Sequence, residues 1–497
     1  MTAHEEFTMG SLRPLIAICG TTGVGKSKLA VINTTMHGNC GARVINADAM
    51  QVYSGMDIIT NKIPTEEREA FKRPGEQYII TEWVKDAMRA IDETHRMGQV
   101  PIVVGGTSYW IQHLLFPNRL ISMENSSRGS ADQSTVSENL ARSLSSLPSE
   151  LLDLFYAVPT QAPSATDQPE LAVALYKLWP QRFHWRDTRK VLRQLSIIKE
   201  SGRLSSEILA EQWQVASRPR YRTLMFWLYA KPDILKPRLD LRVDQMVEQG
   251  LLDEIRDLRA QLSTGSAQTS LLEDPDARNE SDDDSVDVDY TLGIYQAIGY
   301  KEFREYLSAP VHNEELFQEA LQSMKTATRR YAKRQIKWIR NQLLPEAQTA
   351  NSCSQAEEGC DVVPTYVLDA TEPASWDANV REAAQGITDA FLNSDELPDP
   401  TLLSDTARDL LVENKPKDII HPRKVICQVC THDEERPVMM EEGAQWKGHL
   451  RTRSHRKRAR KLHMRKLNEG ALTDGPPEGE SSDTSEEISY GTNTLYT

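Results

Sequence analysis

Cysteine is scarce, six residues in 497, so a small disulfide-stapled secreted fold is excluded and a reducing compartment is expected. Long apolar runs are missing as well. No stretch reaches the roughly eighteen apolar residues of a spanning helix, which excludes a helical membrane protein. Residues Met1 to Gly10 include Glu5 and Glu6 and no apolar core, and Arg13 is the only Lys or Arg before the first expected strand. Neither a secretory nor a mitochondrial leader is expected. Net positive charge is also absent: 58 Lys and Arg face 72 Asp and Glu, a formal charge of −14. Two segments account for it. Residues 273–289 carry nine acids and one base, and residues 468–497 carry seven acids and no base. The remainder is close to neutral with basic patches of its own, so the global sign excludes no partner.

What is present is enough apolar residue, 39% of the chain, for two or three domains. Four segments are too polar to offset the entropy of ordering them: 123–150, which is Ser-rich, 264–289, 346–417 and the tail from 468. Outside them, short apolar runs alternate with helix-like sequence. Leu15 to Cys19, Arg43 to Asp48 and Val100 to Val104 each end in glycine or polar residues, the pattern of a parallel α/β sheet. From Arg186 onward the spacing is helical, over Thr188 to Lys199, Pro237 to Leu262 and Asn313 to Asn341. The expected organisation is an α/β domain over 12–122, an insertion over 123–185, and a helical region over 186–345 with a disordered acidic insert at 264–289. A linker at 346–417, a metal-binding module at 418–467 and a disordered acidic tail at 468–497 follow.

Gly20-Thr21-Thr22-Gly23-Val24-Gly25-Lys26-Ser27 follows an expected strand and opens an expected helix. The spacing is that of a P-loop. Backbone N–H groups and the helix N-terminus would bind phosphate oxygens, Lys26 would neutralise the outer phosphate, and Ser27 would hold Mg²⁺. Such a loop does not name its ligand, and a small-molecule kinase stays open. In a parallel sheet ligands bind beyond the carboxyl ends of the strands, where this loop, Asp48 and Thr107 would all lie.

Near the other end, Cys427-x₂-Cys430 is followed by His449-x₅-His455. Two thiolates from a tight turn and two imidazoles from one helix face suit tetrahedral Zn²⁺, with His432 a competing ligand. From Arg451 to Lys466, nine of sixteen residues are Lys or Arg, and none is acidic. Lys325 to Arg340 is a second basic stretch, interleaved with Tyr331 and Trp338.

The P-loop, Asn46-Ala-Asp48-Ala-Met-Gln51, Thr60-Asn-Lys62 and Gly105-Gly-Thr107-Ser-Tyr109 together resemble the tRNA dimethylallyltransferases, which prenylate the exocyclic amine of the adenosine 3′ of the anticodon. The resemblance continues in order through His184-Trp-Arg-Asp187-Thr-Arg189, Arg238 to Met246, Gly293 to Phe303 and Thr328 to Trp338. It implies a P-loop NTPase-like sheet, a helical tRNA-binding region and a C-terminal zinc finger of the RNA-associated type. Dimethylallyl diphosphate and the tRNA anticodon stem-loop are the implied substrates, and the enzyme would act as a monomer in the cytoplasm, with nuclear and mitochondrial fractions left open. By position, Asp48 would be the general base, with Thr107 and Arg242 completing the reacting centre. Arg238 would join Gly20, Thr21, Thr22, Gly23, Gly25, Lys26 and Ser27 on the diphosphate. Gln51, Arg189, Lys333 and Arg334 would meet tRNA. Two departures stand out. Ala49 replaces a common serine, and Phe71 to Tyr78 is shorter than the usual loop and lacks its His-His-Leu-like sequence, as in a family member that kept RNA binding and lost catalysis.

Overall fold

The computed structural model describes residues 12–36, 41–60, 62, 72–74, 76, 78–117, 136–165, 167–178, 183–214, 218–269, 293–311, 313–358, 360–412, 424–433 and 437–470. The chain forms two compact units, one from residues up to 132 with 205–419, the other from 133–204 with 420–497.

The first unit is built on a five-stranded parallel sheet. Its strands are β1 (Pro14–Gly20), β2 (Ala42–Asn46), β3 (Val100–Val104), β4 (Arg222–Tyr229) and β5 (Thr365–Asp369), in the order β2-β3-β1-β4-β5. Ile16 lies beside both Ile102 and Leu224, which puts β1 at the centre. The two-residue period of a strand divides it. Leu15, Ala17 and Cys19 face a core completed by the Ile80–Arg96, Ser108–Leu115 and Leu344–Glu358 helices. Ile16 and Ile18 face the opposite core, covered by the Lys26–Met36, Pro232–Glu248 and Ala383–Asn393 helices. Both faces are dry, as parallel sheets require. A third core joins Tyr53, Met56 and Ile59 to the Leu251–Thr269 and Glu314–Trp338 helices through Ile255, Tyr300, Phe303 and Met324.

Four expectations are corrected here. Residues 346–417 are not a linker: they hold most of the Leu344–Glu358 helix, the edge strand β5 and the Ala383–Asn393 and Asp405–Val412 helices. Their apolar residues are few but placed at helical spacing, with Ala384, Ile387 and Phe391 buried against the sheet. The region 186–345 is not wholly helical, because the unbroken run Thr223 to Leu228 is a central strand buried on both faces. The third concerns 123–150. Within it the Glu138–Ser145 helix starts at the Ser137 cap, whose side chain accepts from Leu140 N–H at 3.2 Å, and buries Leu140. Of the expected acidic insert, residues 264–269 are the last turns of the Leu251–Thr269 helix, not disordered; its remainder, the tail beyond 470 and three residues of the shortened loop (71, 75 and 77) lie outside the described residues. Among those described, no helix is long and apolar enough to cross a membrane.

The second unit packs the Glu138–Ser145, Ser149–Tyr156, Pro169–Leu178 and Thr188–Ser201 helices around Phe155, Tyr176, Trp185 and Leu195. The Cys-His module belongs to this unit rather than to a separate terminal domain. It is a two-stranded antiparallel ribbon, β6 (Lys424–Ile426) and β7 (Met439–Glu441), followed by the Ala444–Leu450 and Arg453–Gly470 helices. Ile426 and Met439 pack against the helical core, and the buried Trp185 donates its indole N–H to Pro437 O at 3.2 Å. No sequence spacing signals this contact, which joins positions 252 residues apart.

Candidate active site

β1, β2 and β3 all end on the same side of the sheet, and their exits are tied to one another. Ala47 N–H donates to Val104 O at 2.7 Å, Gly105 N–H to Ile18 O at 3.2 Å, and Thr107 N–H to Ala47 O at 3.1 Å. Glycine is required at 105, since a Cβ there would lie 2.1 Å from Ala47 O. The P-loop runs from the end of β1 into the Lys26–Met36 helix. At Gly25, φ is +89° and a Cβ would sit 2.8 Å from the indole nitrogen of Trp376. That indole donates to Val24 O at 3.2 Å, and Lys28 Nζ lies 3.9 Å above its ring. The P-loop is thus braced by the segment expected to be a linker.

Asp48 divides its two oxygens. Oδ1 accepts from Met50 N–H at 3.0 Å and Gln51 N–H at 3.4 Å, the turn-capping role of an aspartate. Oδ2 faces Gly106, where it would lie 3.1 Å from an added Cβ. Ala49 N–H donates to Thr107 Oγ1 at 2.9 Å, so Thr107 fixes the Asp48 turn to the β3 exit. Gln51 is half-buried and tied to its own segment: its Oε1 accepts from Asn46 Nδ2 at 2.8 Å and its Nε2 donates to Thr60 O at 3.0 Å.

Two cations complete the site. Lys26 Nζ donates to Thr21 O at 2.7 Å, and burial lowers its pKa to about 8 against the opposing pull of Asp48. Arg242 lies close enough to add to that lowering, and its own pKa falls through burial while Asp48 resists. Neighbouring Asp240 and Asp244 bind Arg329 (2.5 Å) and Lys325 (2.6 Å) on the Glu314–Trp338 helix, so these acids are occupied elsewhere. Two bases of the second basic stretch are spent in the same pairs. Arg238, one turn earlier, is placed differently: it donates to Ala370 O at 3.1 Å and Thr371 O at 2.6 Å at the exit of β5. Ser27 is partly exposed at the start of its helix. Lys333 and Arg334 are exposed on the Glu314–Trp338 helix, and Arg189 is exposed on the Thr188–Ser201 helix of the second unit.

Sequence reasoning missed Gln335. Gln335, 5% exposed, accepts Thr22 N–H at 3.0 Å and donates to Gly106 O at 2.9 Å, joining the P-loop to the β3 exit. A glutamine within a basic helix carries no signal of this until the helix is placed.

The same elements are shared with known proteins. The model of the IPP transferase family matches residues 51–342, well over half of the chain. The chain belongs to the tRNA dimethylallyltransferase family. The tRNA dimethylallyltransferase of Schizosaccharomyces pombe is 33% identical over 470 residues, covering 91% of this chain and 96% of that one. The Saccharomyces cerevisiae dimethylallyltransferase is 31% identical over 456 residues, covering 89% and 91%. A crystal structure of a eukaryotic dimethylallyltransferase acting on tRNA superposes with a TM-score of 0.63 at 29% identity, covering 92% of this chain and 99% of that one. The family assignment makes this chain a prenyltransferase by descent.

The Cys-His module passes a geometric test for zinc. Cys427, Cys430, His449 and His455 each turn a ligand atom inward, all within 4.8 Å of one another. His455 Nδ1 lies 3.4 Å from Cys427 Sγ, 3.5 Å from Cys430 Sγ and 3.0 Å from His449 Nε2, and His449 Nε2 lies 3.2 Å from Cys427 Sγ. Tetrahedral Zn²⁺ with two sulfur and two nitrogen ligands spaces such atoms about 3.3 to 3.8 Å apart; the two distances from His455 Nδ1 to sulfur fall in that range, and the two made by His449 Nε2 are slightly shorter. His432 is exposed and outside the cluster. Trp446 stacks on His449 at 5.9 Å between centroids and orients that imidazole.

Proposed function

We propose that this protein transfers a dimethylallyl group from dimethylallyl diphosphate to the exocyclic amine of the adenosine 3′ of the anticodon in tRNA, releasing diphosphate. The observation that carries the reading is the placement of Asp48: one oxygen is spent in its turn, the other is turned toward Gly106, and the cations Lys26 and Arg242 lie beside it. Asp48 would accept the proton of the attacking amine, while Lys26, Arg242 and the P-loop N–H groups stabilise charge growing on the departing diphosphate. Ser27 and the diphosphate oxygens would hold Mg²⁺, which supplies further charge neutralisation. Among the described residues the Cys-His group is the only metal-ligand cluster of three or more His, Cys, Asp or Glu, so Mg²⁺ would rely on substrate oxygens and water, as it commonly does. Lys333 and Arg334, with the bases from Arg453 to Lys461, would contact tRNA phosphates.

The protein is incubated with dimethylallyl diphosphate, Mg²⁺ and an unmodified anticodon stem-loop, and the adenosine is analysed by mass. Prenylated adenosine from wild type and none from Asp48→Asn is the expected result. ATP consumption without prenylation would identify a kinase. Tight tRNA binding with no product would identify a family member that has lost catalysis.

A further inference from the structure

The P-loop leaves the sheet at the end of β1, while the Asp48 turn is bound to the exit of β3 through Ala47 and Thr107. One buried side chain bridges the two. Gln335 comes from the Glu314–Trp338 helix, whose Lys333, Arg334 and Lys337 are exposed on other faces of the same turns. Its amide fits only one way round: Thr22 N–H requires the oxygen, at 3.0 Å, and Gly106 O requires the nitrogen, at 2.9 Å. The packing is close, since a Cβ on Gly106 would lie 2.6 Å from Gln335 Nε2 and 3.1 Å from Asp48 Oδ2. The helix is itself pinned. Arg329 and Lys325 pair with Asp240 and Asp244 of the Pro232–Glu248 helix, which also carries Arg242. An apolar side chain at 335 would leave Thr22 N–H and Gly106 O without these partners, so the amide serves the two loops rather than the core.

We propose that Gln335 is a positioning residue for the transfer: it holds the P-loop in register with the Asp48 turn, so that the departing diphosphate and the attacking amine stay aligned across one carbon. The proposal rests on the prenyl-transfer reading. The amine lone pair forms the new C–N bond, the C–O bonding pair passes to the ester oxygen of the diphosphate, and the amine proton goes to Asp48. The loop that grips the leaving group and the turn that holds the base must therefore keep a fixed separation. Gln335 sets it by acting through Thr22 and Gly106. A displacement of about 1 Å between reacting groups costs about 10²-fold in rate, while each substrate still binds its own half of the site. The Thr22 N–H is spent on Gln335, so the backbone N–H groups from Gly23 to Ser27 carry the diphosphate.

Single-turnover prenylation of the stem-loop, with equilibrium binding of the stem-loop and of dimethylallyl diphosphate, tests this in wild type, Gln335→Met and Gln335→Glu. Methionine keeps the length of the side chain and loses both hydrogen bonds. Its expected rate at saturation is about 10²-fold lower, with both Kd values changed less than about threefold. Glutamate is read through pH. Protonated, it reproduces the amide, one oxygen accepting from Thr22 and an O–H donating to Gly106 O; ionised, it sets a second acceptor against that carbonyl. Burial raises the pKa of a carboxyl. The Gln335→Glu rate is divided by the wild-type rate at the same pH, which cancels the titration of Asp48 and Lys26, and the ratio should climb at least about tenfold as pH falls from about 9 to about 6. A space-filling role would give a ratio that does not move. An unchanged rate in Gln335→Met, a Kd change that accounts for its whole deficit, or a Gln335→Glu ratio flat with pH would each overturn the proposal. The last comparison is made within one protein and holds even where the methionine variant fails to fold. Absence of product from wild type would instead remove the prenyl-transfer reading, and this proposal with it.

Discussion

Lys26 gives the sharpest quantitative expectation, because the group proposed to bind diphosphate should also weaken the fold that holds it. Its pKa falls from 10.5 to about 8, with burial the main cause. Keeping that ammonium charged in the folded state costs about 3 kcal/mol at neutral pH. The side chain keeps some solvent contact, which reduces the figure, and a variant also forfeits the hydrogen bond to Thr21 O, worth about 1 kcal/mol. Lys26→Met should therefore be more stable than wild type by about 1 to 2 kcal/mol at pH 7, read by urea denaturation. The sign follows from proton binding. Between about pH 8 and 10.5 the unfolded chain binds the proton and the folded chain does not, so wild-type stability gains with pH across that window. Below pH 8 the full penalty is present, and the gap between variant and wild type should narrow as pH rises toward 10. Dimethylallyl diphosphate should stabilise wild type and leave the variant unmoved. A Lys26→Met protein less stable than wild type at pH 7, with a gap that does not change up to pH 10, would refute the reasoning.

Gly105→Ala should leave little soluble protein, because its Cβ would overlap Ala47 O at the joined exits of β2 and β3; normal expression and melting would contradict that geometry. Trp376→Ala removes a buried ring and its bond to Val24 O, so a loss of about 3 to 5 kcal/mol and a raised donor KM are expected from denaturation and steady-state kinetics. Chelating zinc, or His455→Ala, should expose Ile426 and Met439, with hydrogen exchange accelerating in the Pro169–Leu178 and Thr188–Ser201 helices. Exchange confined to residues 424–470 would show that the module does not brace the helical core.

The sequence by itself determined the chemistry-bearing pieces: the P-loop spacing, the strand ends that place Asp48 and Thr107, and the four residues of the Cys-His cluster. Each depends on local geometry, a tight turn, a strand exit or one helix face, and local geometry is written in neighbouring residues. The relation between Arg238 and Arg242 was not written there. Both are arginines on one helix, and only the packing of that helix sends the first to the carbonyls of residues 370 and 371 and the second toward Asp48. The same holds for Gln335, for β5 and Trp376 in a segment too polar to look folded, and for the finger packed on helices more than 200 residues away. Composition registers how much apolar surface a segment has. Whether a few apolar residues suffice depends on a partner surface that only the assembled chain provides.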